Sequence, residues 1–193
     1  MPFIEEPDTG FYLGESSAIC LYLARTNGWH DLYPQEPKAA AKVDWYLHYH
    51  HENVRQASIG YIAPTFRPDI QFPEGTVRGA KAAVERALEG LNTVWLANSK
   101  FIAGESVTFA DMAAYTELAQ LRPEFTNLYN FEKFTNVQRW LDDMMQVDGH
   151  DDAYFVLHEL GDISSEAPSM KWLGEVNMLA MEHIARKVAG FTD

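Results

Sequence analysis

The chain has 193 residues and carries 28 acidic against 15 basic side chains, a net charge of −13, which repels a phosphate backbone and excludes nucleic acid as the expected partner. Its 47% hydrophobic content can bury a sizeable core, yet no apolar run is long enough to span a membrane and no secretory signal is read, so no membrane partner is expected. A single cysteine excludes an internal disulfide framework and any multi-cysteine metal site, which fits a reducing compartment and a cytoplasmic location.

Met1 to Glu6 reads as a short extended run, Glu6 to Gly10 as a turn of acidic, Pro and Gly residues, and Phe11 to Leu13 as a second strand. That is a hairpin signal. Ser16 then precedes Ala18, Ile19, Leu21, Tyr22 and Leu23, whose spacing suits a helix packed on the hairpin. Free N–H groups and the dipole at such a helix start attract a carboxylate, the Ser16 hydroxyl can add a bond, and Glu15 can take an ammonium. Together they would clamp an α-amino acid. The same two residues also read as a plain helix start, with Ser16 as cap and Glu15 favouring the dipole. Cys20, inside this helix, reads as a small buried apolar residue.

A boundary falls in the Pro34 to Pro37 stretch, and helices separated by Pro and Gly follow. Ala40, Val43, Leu47, His50, Val54, Ala57 and Tyr61 recur at three- and four-residue steps and predict one long helix with an apolar seam. Within it, HYHHEN (48–53) gathers three imidazoles and a carboxylate, with His48 and His51 on one face; no further ligand pattern accompanies them, so no metal is expected. The segment from Pro64 to Pro73, PTFRPDIQFP, reads either as a semi-rigid lid or as a plain connector. Val77, Ala80, Val84, Leu88, Leu91 and Trp95 form a second helical stripe. In FIAGESVTFADMAAYTEL, Thr108 can cap a helix while Asp111 reaches back to its amide, with Val107 and Met112 as a hydrophobic staple; both polar residues read as folding residues. Val137, Trp140, Leu141 and Met144 mark a later helix, and a last one is predicted at about Met170 to Val188.

Three segments carry a resemblance. FYLGESSAICLYLA resembles the F-x-L-x-E-S-x-A-I-x-x-Y-L segment of the glutathione transferase family, whose Glu-Ser pair binds the γ-glutamyl end of glutathione. LYPQEPKAAAKVDWYL (Leu32 to Leu47) looks like that family's interdomain linker and the start of its all-helical domain, and Phe101 to Leu118 resembles a later helix of the same domain. The matches keep the family's order across residues 2 to 118 and suggest a theta-like or related subgroup.

The resemblance implies a mostly α fold: an all-helical C-terminal domain (39–193), a linker (29–38) and a partial thioredoxin-like hairpin-plus-helix piece (1–28). It implies glutathione as co-substrate, held by Met1, Pro2, Glu15 and Ser16, where Pro2 matches the family's cis-proline and Met1 the residue whose backbone pairs with the cysteinyl unit. It implies a small hydrophobic electrophile at Tyr46, Tyr49, His50 and Asn53; read without the family, those four residues serve equally as a core or domain-interface surface. A homodimer and a role in detoxification follow from the same resemblance.

In the family, a Ser, Cys or Tyr after the first strand stabilises the glutathione thiolate. No such residue precedes Pro2, where a β-α-β unit of roughly 30 residues would stand. Three readings therefore remain: a piece of a full transferase, a short form serving as a binding or assembly module like those of translation factors and aminoacyl-tRNA synthetase complexes, or activation by another residue, with Tyr12 and Tyr22 as donors in principle. A two-stranded hairpin is marginal alone, so the isolated chain is expected to expose apolar surface and to associate or be poorly stable.

Overall fold

The computed structural model describes residues 2–190. Two antiparallel strands open it, β1 (Phe3–Glu6) and β2 (Phe11–Gly14), with Phe3 opposite Gly14 and Glu6 opposite Phe11. The turn closes because the Thr9 and Gly10 amides both donate to the Glu6 carbonyl (3.2 and 2.9 Å) and Gly10 takes φ +67°, open to a residue without Cβ. The hairpin buries little: Phe3 is 69% and Tyr12 62% exposed. Helix α1 (Ser16–Asn27) lies against it through the Phe11 and Tyr22 rings, 5.2 Å apart, and a hydrogen bond from the Tyr22 hydroxyl to Glu6. Gly28 ends α1 in the left-handed conformation (φ +69°), and the Trp29 amide returns to the Ala24 carbonyl (2.9 Å).

The connection that follows is anchored rather than loose. Tyr33, buried, accepts from Arg25 of α1 (2.9 Å) and donates to the Asp44 carboxylate (3.1 Å), while the Phe109 amide donates to the Leu32 carbonyl (3.1 Å). Helix α2 (Pro37–His50) starts with proline at its first position, where no N–H is needed, and with the Glu36 carboxylate accepting from the Lys38 and Ala39 amides (3.0 and 2.8 Å).

The single long helix expected from Ala40 to Tyr61 does not form; α2 ends at His50, and residues 51–55 are a turn. The His50 carbonyl accepts from both Asn53 (3.2 Å) and Arg55 (3.1 Å), three and five residues on, and the Asn53 amide group caps the Tyr49 carbonyl at 2.8 Å. These bonds replace the four-residue ladder and interrupt the helix. A π turn (Ser58–Ile62) leads into α3 (Ala63–Phe66), so Pro64 and Phe66, expected in a loop, lie in a helical turn; the loop proper begins at Arg67. At Gly60 a Cβ would stand 3.1 Å from the Lys81 backbone nitrogen, so glycine is what lets the π turn approach α4 (Glu74–Gly90).

The remaining helices are α5 (Phe109–Leu118), α6 (Thr135–Met144), α7 (His150–Ala153), α8 (Phe155–Leu160) and α9 (Met170–Ala189). The predicted stripes meet in the main core: Val84, Leu88 and Leu91 from the α4 region and Val137, Trp140 and Leu141 from α6 are fully buried with Tyr46, Tyr115, Phe125 and Phe131. Val77 is half-buried, at the edge of its stripe. A smaller core of Leu160, Ile163 and Val176 seats α9. Asp111 has no exposed surface; its carboxylate accepts from the Thr108 amide (2.9 Å), the Thr108 hydroxyl (3.0 Å), the Ile102 amide (2.8 Å) and the Trp140 indole (3.0 Å). The capping pair is thus also the polar hub that locks α5 to α6. Val107 packs on this core, while Met112 lines a cavity.

Candidate functional site

Three helices converge beside the start of α1. Ser16, Ser17 and Cys20 of α1, Leu47, His50 and Arg55 at the end of α2 and the turn after it, and Met112, Thr116 and Glu117 of α5 enclose a cavity of about 280 Å³. Its lining surface is mostly apolar, and its polar groups come from residues far apart in sequence.

The local conformation at its mouth is strained. Glu15 adopts φ +67°, ψ +118°, outside the small left-handed region open to non-glycine residues, a conformation costing about 1–3 kcal/mol. Its carbonyl still accepts from the Ile19 amide (2.9 Å), so the strained residue is the N-cap and Ser16 is the first residue of the helix. Among the described residues no side chain caps this helix start. The reading of Ser16 as a structural cap is thereby corrected: the hydroxyl sits one position too late, at the rim of the cavity, and both Glu15 and Ser16 are exposed. Uncapped N–H groups beside a free hydroxyl and a free carboxylate can receive a carboxylate and an ammonium together.

Deeper in the cavity, Glu117 is 6% exposed, and burial pushes its carboxyl up against the pull of the Ser58 hydroxyl, which donates at 2.7 Å, and of the Arg55 guanidinium at 3.2 Å. Burial, then the charges of His51 and Arg55, lower His50 to about 4, so it faces the cavity as a neutral imidazole. Cys20 is half-buried with its thiol pushed up by desolvation, which disfavours the thiolate.

Of the four residues expected around an electrophile, only His50 reaches this cavity. Tyr46 is fully buried in the core, its ring edge-on to Trp95 at 5.3 Å. Tyr49 packs on the same Trp95 (5.9 Å), and Asn53 is spent on the helix break. Arg55 and Glu117, not singled out in the sequence, stand there instead; the available signal was a glutamate one turn after Ala113 and Ala114 on the largely apolar helix α5. Pro2 is exposed at the start of the hairpin, and Met1 lies outside the described residues. Tyr12 donates to Glu5 (2.8 Å) and Tyr22 to Glu6, so each phenol proton already has a carboxylate acceptor. The loop from Arg67 to Pro73 contributes nothing to the cavity; Arg67 and Asp69 pair with each other at 2.8 Å. His48 and His51 are exposed, and among the described residues no three His, Cys, Asp or Glu side chains group as a metal site.

A hairpin and helix joined by an anchored linker to an all-helical bundle define the class: a helical domain preceded by a small thioredoxin-like piece. Residues 54–148 match the profile of the glutathione S-transferase C-terminal domain. The chain is 30% identical over 173 residues to human glutathione S-transferase theta-1, covering 85% of this chain and 71% of that protein. To human theta-2B it is 33% identical over 126 residues, 62% of this chain and 50% of the relative, so the chain spans from half to under three quarters of the length of these relatives. The crystal structure of human glutathione transferase theta-2 in complex with glutathione superposes with a TM-score of 0.67 at 25% identity, covering 96% of this chain and 78% of that one. The chain belongs to the glutathione S-transferase family.

Proposed function

We propose that the chain is a theta-like glutathione transferase component that grips the γ-glutamyl end of glutathione at Glu15 and Ser16. The observation that carries this reading is the uncapped helix start behind a strained Glu15, opening on a cavity. Strain of this kind clusters at active sites and ligand clamps. The N–H groups and hydroxyl at the start of α1 would take the γ-glutamyl carboxylate and Glu15 the ammonium, with Pro2 and Met1 along the peptide. The electrophile, small and hydrophobic, would enter the cavity past His50, Leu47 and Met112, within reach of Arg55. The activity is conjugation of the glutathione thiolate to that electrophile, with detoxification in the cytoplasm as its setting and a homodimer as its assembly. The thiol-activating residue is assigned to none of the described side chains.

Glutathione titration by calorimetry and a conjugation assay with a generic electrophile, on this chain and on Glu15→Ala, test the reading. Saturable binding weakened by the substitution supports it, and heats indifferent to Glu15 sink it. A second reading, a non-catalytic binding or assembly module, is favoured by the Tyr12 and Tyr22 hydroxyls both being engaged by carboxylates. It expects capture of a protein partner with no conjugation. The coding sequence upstream of Met1 also separates the two: an in-frame strand-helix-strand with a Ser, Cys or Tyr near its start favours the enzyme.

A further inference from the structure

A second cavity, of about 260 Å³, shares Met112 and Thr116 with the first and is otherwise built by α5, the end of α6 and α7. Its wall exists because Gly149 takes φ +79°, a left-handed turn that carries the next residue, His150, into the interior. There the His150 ring stacks on Tyr154 (4.8 Å, 15° between planes) and lies 2.8 Å from the Tyr115 hydroxyl through Nε2 and 3.0 Å from the Asp151 carboxylate through Nδ1. The Thr116 hydroxyl donates to the Met112 carbonyl at 2.8 Å.

The Tyr115 and Thr116 hydroxyls and the His150 ring are thus committed to the protein. What faces the space is thioether, methyl and aromatic surface from Met112, Met144, Val147 and Tyr154. Among the described residues no lysine or arginine lines it, and its charged neighbours are the exposed carboxylates of Asp148 and Asp151. Such a site selects for burial of apolar area and against negative charge. An apolar cavity of ~150 Å³ holds benzene, so this larger one has room for a second fused ring.

We propose that the cavity between α5, α6 and α7 is a binding site for a small neutral bicyclic aromatic molecule, distinct from the site at Ser16. The proposal rests on this geometry and not on the glutathione reading. Because Met112 and Thr116, one helical turn apart on α5, line both spaces, a molecule in either restricts the rotamers offered to the other.

The test uses the full chain labelled with ¹³C-methyl methionine and titrated with 2-naphthol. Met144 lines only this cavity, Met112 lines both, and Met170, Met178 and Met181 are exposed on α9 and report unspecific adsorption. The expected result is a saturable shift of Met144 and Met112 with the three α9 methyls unmoved, and at least about tenfold weaker binding of the 2-naphthoate anion. Ala153→Phe, which fills the cavity from α7, should weaken 2-naphthol by about tenfold or more. Shifts confined to α9 methyls, a shift of Met112 alone, or equal affinity for the anion would overturn the proposal. Should Ala153→Phe not fold, Asp148→Lys supplies the variant: it should raise naphthoate affinity while the Met144 response persists, and an unchanged preference would likewise overturn the site.

Discussion

Two helix starts in this chain pair a hydroxyl with a carboxylate and use them in opposite ways. At α5, Thr108 and Asp111 are buried, unstrained, and bonded to each other, to the Ile102 amide and to the Trp140 indole. At α1, Glu15 and Ser16 are exposed, the backbone is strained, and none of the described side chains closes the helix end. A helix start whose donors are satisfied internally holds a fold together; one whose donors are left open, at a cost in backbone energy, is available to a ligand. The contrast also runs through the two parts of the chain, since the hairpin buries little while the bundle surrounds Asp111 completely.

The sharpest way to break this comparison is Asp111→Ala, which strips four hydrogen bonds from buried donors and should cost about 3 kcal/mol or more, read as a fall in the urea midpoint. A loss below about 0.5 kcal/mol would show that the hub is not structural. Next in size is a pH effect from the cavity floor. His50 titrates near 6.5 when unfolded and at about 4 in the fold, so between those values the unfolded chain binds more protons. Stability should be full above pH 6.5 and fall as pH drops towards 4, by about 3 kcal/mol in total. In His50→Gln that part of the slope should vanish from denaturation midpoints measured across the window.

Smaller effects belong to the open helix start. Ser16→Ala removes a hydroxyl the fold does not use, so glutathione affinity should drop by about tenfold while the melting temperature stays put. Glu15→Gly should do two things at once: relieve the left-handed strain, raising stability by about 1 kcal/mol, and weaken glutathione. A variant both less stable and unable to bind would mean that Glu15 acts through the fold. The association expected from the exposed hairpin is read by sedimentation: a monomer with a cooperative high-temperature melt contradicts it.

Much of the architecture was legible along the chain. The hairpin, the stripes of α4 and α6, and α9 from Met170 onward follow from alternation, three-to-four spacing and turn residues, all of which act over a few positions. The Thr108–Asp111 pair was legible for the same reason, but its partners Ile102 and Trp140 were not. The break after His50 escaped because the apolar spacing runs on through Val54 and Ala57, and what interrupts it is an Asn side chain competing for a backbone carbonyl. Tyr46 and Tyr49 look as accessible as His50 on a helical projection; only the packing of Trp95 against α2 decides which of them turns inward.

By itself, then, the sequence determined the hairpin, the apolar faces of α4 and α6, the capped start of α5 and that Glu15 and Ser16 stand at a junction, because these are local consequences of side-chain shape and backbone capping. Tertiary structure alone decided that Arg55 and Ser58 would meet Glu117 across some sixty residues, that Tyr46 would be core, and that the Glu15 backbone would be strained. Those outcomes depend on how separate helices are pressed together, and a pattern read along one chain carries no information about the distance between its parts.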